Sequence, residues 1–355
     1  MLEIRAGRDT DKGAILGLIK EVFGNEEAER AERRWHWQWH EDPRLGSPGY
    51  RGVVAEWNGQ VIANLSCLSS GLHLQGEPVD AYWFADALAH WGSIRRAMRE
   101  MKRAGVVEGG PDLSKGIAAA MLNHPAAGVA QLGKHLTDPM AVVAYKIGST
   151  DQKDTGSWSR ILSFRQPLEN YIGKLWAGLL GWCADWVLPR LPPLKKEVRR
   201  LEGSFDERFD VLWEQVRREY PAITRRDRAT LEWRYRKHPD TAYTVLIVED
   251  HGELLGYLVY ACFHRHQQHR AQIVDILAPC THTDALNDLL SDAMQRMRRD
   301  GVHKVECYAG GKIMINALEG LGFKQRLHNG KPQSTLIRRL PDVELYVTRG
   351  DGDGG

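Results

Sequence analysis

The chain has 355 residues, of which 43% are hydrophobic and 26% charged, so it is long enough for two globular domains of ordinary composition. Its formal net charge of +2 at pH 7 provides no broad field of one sign, which argues against a nucleic-acid partner. The five cysteines have neither metal-ligand nor redox spacing, and the N-terminus lacks the apolar core of a signal peptide, so we predict a cytoplasmic protein without a metal site.

The first residues are predicted to form a short strand at 3–5 and two helices. The second helix covers 28–40 and carries His36 and His40, which lie four residues apart, a spacing that can ligate a metal. No third ligand follows with comparable spacing, so a stacked or solvated histidine pair is the favoured interpretation.

The next elements are predicted to be a hairpin and a long strand that leads into a helix. Residues 51–66 contain two strand patterns joined by a Gly turn, which is a hairpin signal. The apolar run 81–89 ends in Asp-x-Leu-Ala, and the following segment has the spacing of an amphipathic helix that Gly105 stops. We expect this strand–turn–helix unit to be the centre of the first domain.

Further helices are predicted over 117–122 and 126–133, and a closing strand over 141–145. Residues 167–188 carry apolar side chains on one face of a helix bounded by prolines. This helix is about as long as a membrane span, but its one-sided pattern favours packing between domains over binding at a membrane surface.

The second half is predicted to carry a hairpin over 243–262 and a strand that ends in Asp-x-Leu-Ala at 275–278. A second amphipathic helix follows, and strands at 304–308 and 334–338 complete this half. The Gly- and Asp-rich tail, 346–355, is predicted to be disordered.

Four segments recur in the same order in the two halves. Trp37 matches Trp233, in segments that both read aromatic-x-aromatic-x-x-x-Pro, and Asp86 matches Asp275. The hairpins and the Ala-Met-x-x-Met helices also match, with separations between 189 and 196 residues. Such agreement in order and spacing indicates an internal duplication.

We therefore predict a mixed α+β fold with two domains, each a largely antiparallel twisted sheet flanked by helices. The first domain covers 1–150 and the second 205–345, and a linker with the amphipathic helix covers 151–204.

This order of elements resembles the GNAT (N-acetyltransferase) superfamily, whose members transfer acyl groups from coenzyme A. Each half has a hairpin with a Gly turn, a strand ending in Asp-x-Leu-Ala, and a helix directly after it. Each half also has a Leu-Gly near its end, at Leu132-Gly133 and at Leu321-Gly322-Phe323, and the latter is similar to the Leu-Gly-Phe that follows the final helix in that superfamily. The resemblance covers nearly all of both halves, and tandem copies of the fold are known in the superfamily.

The resemblance implies acetyl-CoA, or another acyl-CoA, as the cofactor of the first copy. Pantetheine would pair with the strand edge, as an added strand does, and the pyrophosphate would lie at the positive end of the next helix. The implied cofactor contacts are Leu88, Ala89 and His90 for pantetheine, Trp91, Gly92, Ser93 and Ile94 for the phosphates, and Arg95 and Arg96 for additional positive charge.

The phosphate loop departs from the superfamily pattern, Arg/Gln-x-x-Gly-x-Gly/Ala. Copy one has only the short turn 90–96. Copy two has 279–285, which lacks glycine and places Asp284 where phosphate would be repelled, so that copy resembles a structural repeat without cofactor. Residues 111–118 look like the loop in isolation but follow the wrong strand.

Acyl transfer to an amine needs a base that accepts a proton and an acid for the leaving thiolate. Asp86 is a candidate base, although its match Asp275 suggests that the carboxylate serves the fold instead. Glu56 is a second candidate base. Tyr145 and Tyr82 are candidate acids, with core aromatic residues as the alternative interpretation.

The function that we predict is an acyl-CoA-dependent N-acyltransferase that acts on an amine of a small molecule or of a sugar or cell-envelope precursor, with a degenerate second domain. The alternative is a catalytically silent tandem repeat that acts as a binding or scaffold protein, including at a membrane surface through 167–188. An aminoacyl transferase for peptidoglycan bridges would explain the duplication, but it needs a basic surface for transfer RNA that the charge balance does not show.

Overall fold

The computed structural model describes residues 2–103, 113–128, 130–134, 136, 138–164, 189–265 and 268–352. The amphipathic helix predicted over 167–188 lies outside these residues, as does the start of the alternative phosphate loop, 111–112. Within the described ranges no helix combines the length and the apolar character needed to cross a membrane.

The first half alternates helices with strands. Its elements are β1 (Leu2–Ala6), α1 (Lys12–Phe23), α2 (Asn25–His40), β2 (Gly52–Trp57), β3 (Gln60–Ser69), β4 (Leu72–Leu74), β5 (Glu77–Pro78), β6 (Ala81–Ala89), α3 (Trp91–Arg103), α4 (Leu113–Asn123), β7 (Ala130–Gly133), α5 (Asp138–Lys146), β8 (Thr150–Gln152) and β9 (Thr155–Ile161). In α1 the apolar residues Ile15, Leu18 and Ile19 recur at helical spacing and are buried, so this face packs on the sheet.

The second half repeats this alternation. Its elements are β10 (Val198–Arg200), α6 (Glu207–Glu219), β11 (Ala222–Thr224), α7 (Arg228–Leu231), β12 (Thr244–Asp250), β13 (Glu253–Arg265), β14 (Gln268–Leu277), α8 (Thr283–Arg299), β15 (Lys304–Gly310), α9 (Lys312–Gly320), β16 (Lys324–Gln325), β17 (Leu327–His328), β18 (Lys331–Pro332), β19 (Thr335–Arg338) and β20 (Leu345–Thr348).

The two halves exchange strands. Among the described residues the first sheet has seven strands in the order β1-β2-β3-β6-β7-β19-β8, so β19 from the end of the chain lies between β7 and β8. In return β9 of the first half pairs antiparallel with β15 along its whole length, from Thr155 to Ile161. Where the two strands cross, Thr335 N donates a hydrogen bond to Thr155 Oγ1 at 2.7 Å. Strand β9 lies inside the predicted linker; the predicted domain boundaries themselves stay predictions.

The central strands of each sheet pair at equivalent residues in the two halves. Asn64 pairs with Leu88 in the first sheet, and Tyr257 pairs with Leu277 in the second. Just beyond these pairs both sheets have a bulge, in β6 around Asp86 and in β14 around Asp275. A bulge at or next to each of two matched aspartates is what two copies of one fold would share.

The matched tryptophans Trp37 and Trp233 meet each other. Each indole Nε1 donates a hydrogen bond to the backbone oxygen of the other residue at 2.9 Å. Their rings stack with centroids 4.5 Å apart and planes 14° apart. A reciprocal contact between equivalent residues places an approximate two-fold axis between the halves.

Two elements at the end of the first half differ from prediction. Within the predicted helix 126–133, residues 126–127 end a 3₁₀ turn and residues 130–133 form strand β7, and the predicted strand 141–145 lies in α5. Short apolar runs fit a buried strand and a buried helix equally well, so periodicity alone could not separate them.

The proposed match between Leu132-Gly133 and Leu321-Gly322 is also wrong, because Gly133 lies in β7. The true counterpart of Gly322 is Gly148. Both have a left-handed backbone, with φ of 93° at Gly148 and 78° at Gly322. The residue after each glycine donates its N–H to a carbonyl five residues back, Ser149 to Ala144 and Phe323 to Leu318, both at 2.9 Å.

The tail predicted to be disordered is ordered as far as the structure describes it. Residues 345–348 form β20, and Asp351 is buried. A Cβ on Gly350 would collide with the hydroxyl of Tyr235, and one on Gly352 would lie 3.2 Å from the ring of Trp83. The glycines therefore permit close packing here, which composition cannot distinguish from disorder.

Candidate functional site

The first sheet opens between β6 and β7. These parallel strands pair from Ala81–Ala130 to Trp83–Leu132. Strand β7 then ends at Gly133, whereas β6 continues to Ala89. We call the gap beyond the Trp83–Leu132 pair the first opening. The second sheet separates in the same way after the Ile273–Cys307 pair of β14 and β15, and we call that gap the second opening.

Asp86 lies on β6 within the first opening. It occupies the bulge with φ of 43°, and its side chain is half-exposed. Behind it, Asn64 Nδ2 donates to the backbone oxygen of Asp86 at 3.2 Å, and Tyr50 donates its hydroxyl to Asn64 Oδ1 at 2.6 Å. Burial raises the pKa of Tyr50, so this phenol is a fixed hydrogen-bond donor that positions the bulge.

The start of α3 is capped by its own side chains. His90 Nδ1 accepts a hydrogen bond from Ser93 N at 3.1 Å and lies 2.6 Å from Ser93 Oγ. His90 Nε2 lies 3.3 Å from a carboxylate oxygen of Glu21. The imidazole therefore accepts a hydrogen bond from the N–H of Ser93, which is one of the donors that a phosphate at this helix start would use.

The other predicted cofactor contacts divide into buried and exposed residues. Leu88 and Ile94 have buried side chains, so only their backbone could contact a cofactor. Gly92, Arg95 and Arg96 are exposed at the helix start. Ala89 and Ser93 are half-exposed, and the side chain of Trp91 lies outside the described structure.

The second opening is filled by the chain itself. Strand β20 pairs antiparallel with the end of β15, at Ala309–Thr348 and Gly310–Val347. From the next turn, Gly350 N donates a hydrogen bond to the oxygen of Val274 on β14 at 2.6 Å. Residues 345–351 thus bridge the two strands and use a backbone group that a pantetheine amide would need.

Asp275 anchors this bridge. Its carboxylate accepts hydrogen bonds from Arg226 Nε at 3.0 Å, the hydroxyl of Tyr257 at 3.0 Å and Thr348 Oγ1 at 3.1 Å. Arg226 Nη2 also donates to Asp351 at 2.7 Å. Burial opposes ionisation of Asp351, but the charge of Arg226 prevails and lowers the pKa of this carboxyl. Asp275 therefore serves the fold.

Comparison with known proteins identifies this architecture. No protein-family model and no curated protein matches the sequence. Solved structures do match it. A probable N-acyltransferase from Enterococcus faecalis has a TM-score of 0.57 and 11% identity, over 95% of this chain and 72% of that one. A GCN5-related N-acetyltransferase from Kribbella flavida has a TM-score of 0.56 and 15% identity, over 95% and 72%.

Saccharomyces cerevisiae N-myristoyltransferase with bound myristoyl-CoA has a TM-score of 0.50 and 11% identity, over 95% of this chain and 81% of that one. The chain has the GCN5-related N-acetyltransferase (GNAT) fold. The predicted α+β class and the predicted likeness to the GNAT fold are confirmed, and the predicted tandem arrangement of two GNAT-like domains fits the two-lobed structure. At these identities the likeness concerns the fold alone.

In the first GNAT-like domain, Glu56 is engaged in an ion pair away from the bulge strand. Arg5 donates to its carboxylate from Nη2 at 2.8 Å and from Nε at 2.9 Å. Arg5 also donates to Asp11, and this hydrogen bond is the main reason why the pKa of Asp11 is lowered. Glu56 thus joins β2 to β1, which is a structural arrangement.

Tyr145 lines a cavity between the halves, and neither Asp86 nor Glu56 lines it. Its hydroxyl donates to Asp151 at 2.9 Å, and burial together with Asp151 raises the pKa of Tyr145 to about 12. Tyr82 is half-buried and accepts a hydrogen bond from Arg51 at 3.1 Å. The structure therefore does not bring the predicted base and acids into one cluster.

Lys134 is a residue that the sequence analysis missed. It follows β7 directly, is buried, and donates from Nζ to the backbone oxygens of Arg349, at 2.6 Å, and Asp351. The ammonium lies 5.3 Å from the ring centroid of Trp83. Lys134 thus fixes the end of the second GNAT-like domain against the first opening. Its position after the short strand Ala130–Gly133 gave no signal in the sequence.

The histidine pair predicted in α2 is stacked. The rings of His36 and His40 have centroids 5.2 Å apart and planes 13° apart. Within the described ranges no group of three or more His, Cys, Asp or Glu residues is arranged to hold a metal ion.

Proposed function

We propose that the chain is an acyl-CoA-dependent N-acyltransferase whose first GNAT-like domain holds the cofactor. The observation that carries this proposal is the contrast between the two openings. In the first domain β6 runs past its last pair with β7, and α3 begins directly at its end. In the second domain residues 345–351 fill the corresponding gap. The similar structures are those of a probable N-acyltransferase, an N-acetyltransferase and an N-myristoyltransferase.

The residues at the first opening fit an acyl-CoA in part. The strand edge at Leu88–His90 offers backbone groups for pantetheine amides, and the exposed Arg95 and Arg96 offer charge for phosphates. On binding, the N–H of Ser93 would donate its hydrogen bond to a phosphate oxygen instead of to the His90 side chain. When bound, acyl-CoA supplies a thioester whose carbonyl carbon accepts a nucleophile.

We propose Asp86 as the base, since it lies half-exposed on β6 at the opening, whereas Glu56 lies on β2 and Tyr145 lines a separate cavity. Its carboxylate takes a proton from the acceptor amine, directly or through water. The amine nitrogen then forms a bond to the acyl carbon, the carbon–sulfur bond breaks, and the thiolate takes up a proton. We propose a small-molecule amine or amino sugar of the cytoplasm as the acceptor.

Titration calorimetry with acetyl-CoA and with myristoyl-CoA tests the proposal. Gly92→Glu places a carboxylate at the helix start, so we expect it to abolish binding through repulsion of the phosphates. Gly92→Ala is the matched control, because its Cβ lies 3.1 Å from the His90 ring and requires only a small shift. Equal affinity of both variants would place the cofactor elsewhere.

A second candidate is a catalytically silent tandem GNAT-like protein that acts as a binding or scaffold module. The His90 cap on α3 favours it, since this helix start is already satisfied by a side chain. A folded wild-type protein that binds neither acyl-CoA at millimolar concentration would support this candidate and exclude the enzyme.

A further inference from the structure

A cavity of about 870 Å³ lies between the two halves, where the exchanged strands cross. Its walls come from both copies. Tyr145 of α5 and Glu319 of α9 hold equivalent places, each three residues before the left-handed glycine that follows its helix. Thr155 of β9 lines the floor and accepts the hydrogen bond that joins the crossing strands. The cavity therefore exists only because the copies exchange strands, and it is separate from the first opening.

Beside Thr155, five amide and hydroxyl side chains in the wall both donate and accept hydrogen bonds. They are Gln152, Gln325, Asn329, Gln333 and Ser334. The charges nearly balance, with the carboxylates of Asp151, Asp154 and Glu319 and the ammonium groups of Lys153 and Lys331 in the same wall. Such a wall discriminates weakly for net charge but offers many hydrogen bonds to a neutral polar molecule.

The rest of the wall is apolar and partly aromatic. Tyr145 is 46% exposed and Val142 45% exposed, and both lie on the side of α5 that faces the cavity. Leu136 and Ile315 add aliphatic surface. Alternating apolar and hydrogen-bonding surface suits a ligand that carries C–H faces and hydroxyl groups together.

Two buried polar atoms in the wall have no hydrogen-bond partner among the described residues. One is an acceptor, Gln152 Oε1, and the other is a donor, the indole Nε1 of Trp158. Buried polar atoms without partners are uncommon in folded proteins and call for a guest or ordered water. Both atoms have almost no exposed surface, so a hydroxyl group of a guest, which can donate and accept, reaches them only after a small movement of the wall.

We propose that this cavity binds a neutral, polyhydroxylated small molecule of the size of a mono- or disaccharide. The volume is in the range of small-molecule sites. Asp151 is placed to be the main polar contact, since it already accepts hydrogen bonds from Tyr145 and from Ser334 and its side chain is exposed. The site is independent of the acyl-CoA site proposed above.

Two-dimensional NMR of the tryptophan indole N–H groups tests the proposal on the full chain. Trp158→Phe assigns the Trp158 signal. Glucose, N-acetylglucosamine and trehalose are expected to shift this signal saturably. The matched control is Trp83, whose indole nitrogen is equally buried without a partner but which does not line the cavity. Its signal should stay in place with sugars and should move with acyl-CoA, so the two proposals fail separately.

Asp151→Asn is expected to weaken sugar binding about tenfold, because a hydrogen bond to a charged group is lost. Asp284→Asn is the control, since Asp284 pairs with Lys195 outside the cavity and should leave binding unchanged. Cationic glucosamine and anionic gluconate should bind no better than glucose. The proposal is overturned if no neutral sugar shifts Trp158, if only a charged sugar does, or if Asp151→Asn binds as the wild type does.

Discussion

The carboxylate of Asp275 is held by three side-chain donors, whereas that of Asp86 lies half-exposed in the first opening. The two residues occupy matched positions at or beside a bulge, so the difference comes from their neighbours. Arg226 crosses to Asp275 from beside β11, and the tail supplies Thr348. The matched position thus serves structure in the second sheet, and in the first it lies half-exposed at the opening where we propose that the cofactor binds.

Matched amide variants separate these two roles. Asp275→Asn should lower the free energy of unfolding by about 3–5 kcal/mol, because it leaves Arg226 short of a buried counter-charge. Asp86→Asn should change stability little but lower the rate of acyl transfer roughly 100-fold or more, since the base is lost. Urea unfolding and steady-state kinetics measure the two effects. A stable Asp275→Asn variant would contradict the structural role.

His238 is a second residue whose surroundings define a measurable effect. Its Nδ1 accepts hydrogen bonds from the backbone N–H of Asp240, at 3.2 Å, and of Thr241, at 3.1 Å. Burial, assisted by the charge of Arg34, lowers the pKa of His238 to about 4. The folded protein therefore requires the neutral ring.

An unfolded histidine titrates near pH 6.5, so the contribution of His238 is complete above that pH and falls as the pH drops toward 4. We expect the wild type to lose about 2 kcal/mol relative to His238→Asn between about pH 7 and about pH 5. Asparagine keeps an acceptor for the same N–H groups but does not titrate. Urea unfolding at the two pH values measures the difference, and parallel pH profiles would contradict the assignment.

At the scale of elements, the helices and strands that the sequence predicted correctly are those with strong local signals. The hairpins, the strands ending in Asp-x-Leu-Ala and the helices after them have clear periodicity and Gly turns. Residues 126–133 and 141–145 were misassigned because short apolar runs carry no period. The order of the tail was missed because Gly350 and Gly352 pack closely against rings contributed by distant parts of the chain. Long-range pairing leaves no local pattern.

The glycines after α5 and α9 illustrate a local rule that the structure made visible. Gly148 has φ of 93°, and a Cβ there would meet nothing within 4 Å. Gly148→Ala should therefore cost about 1 kcal/mol through backbone strain alone. Gly116, in α4, has equally open surroundings, so Gly116→Ala should stabilise by about 0.5–1 kcal/mol. Thermal unfolding compares the stabilities of the two variants. Effects of the same sign would contradict the backbone strain expected at position 148.

At the scale of the whole molecule, the halves are joined by the exchanged strands, the Trp37–Trp233 contact and the tail. The first sheet lacks a strand between β7 and β8 unless β19 is present. The candidate site could not be completed from sequence for the same reason, because Lys134 and residues 349–352 meet only in the assembled molecule.

We expect residues 1–163 and residues 189–355 to be unfolded when expressed separately and to form a folded complex when expressed together. Each fragment alone would leave a sheet with an unpaired edge. Circular dichroism and size-exclusion chromatography report the outcome. The matched control is the full chain cut at a protease site placed within 165–188, which should remain associated. A folded first fragment would contradict the dependence on β19.

The exchange of strands also means that β7 is synthesised well before its partner β19. Strand β7 emerges from the ribosome about 200 residues before β19, which at about 5–20 residues per second leaves its edge uncovered for roughly 10–40 s. During that interval the nascent sheet presents a ready template for another strand, so the chain should depend on chaperones that shield such edges until translation is nearly finished.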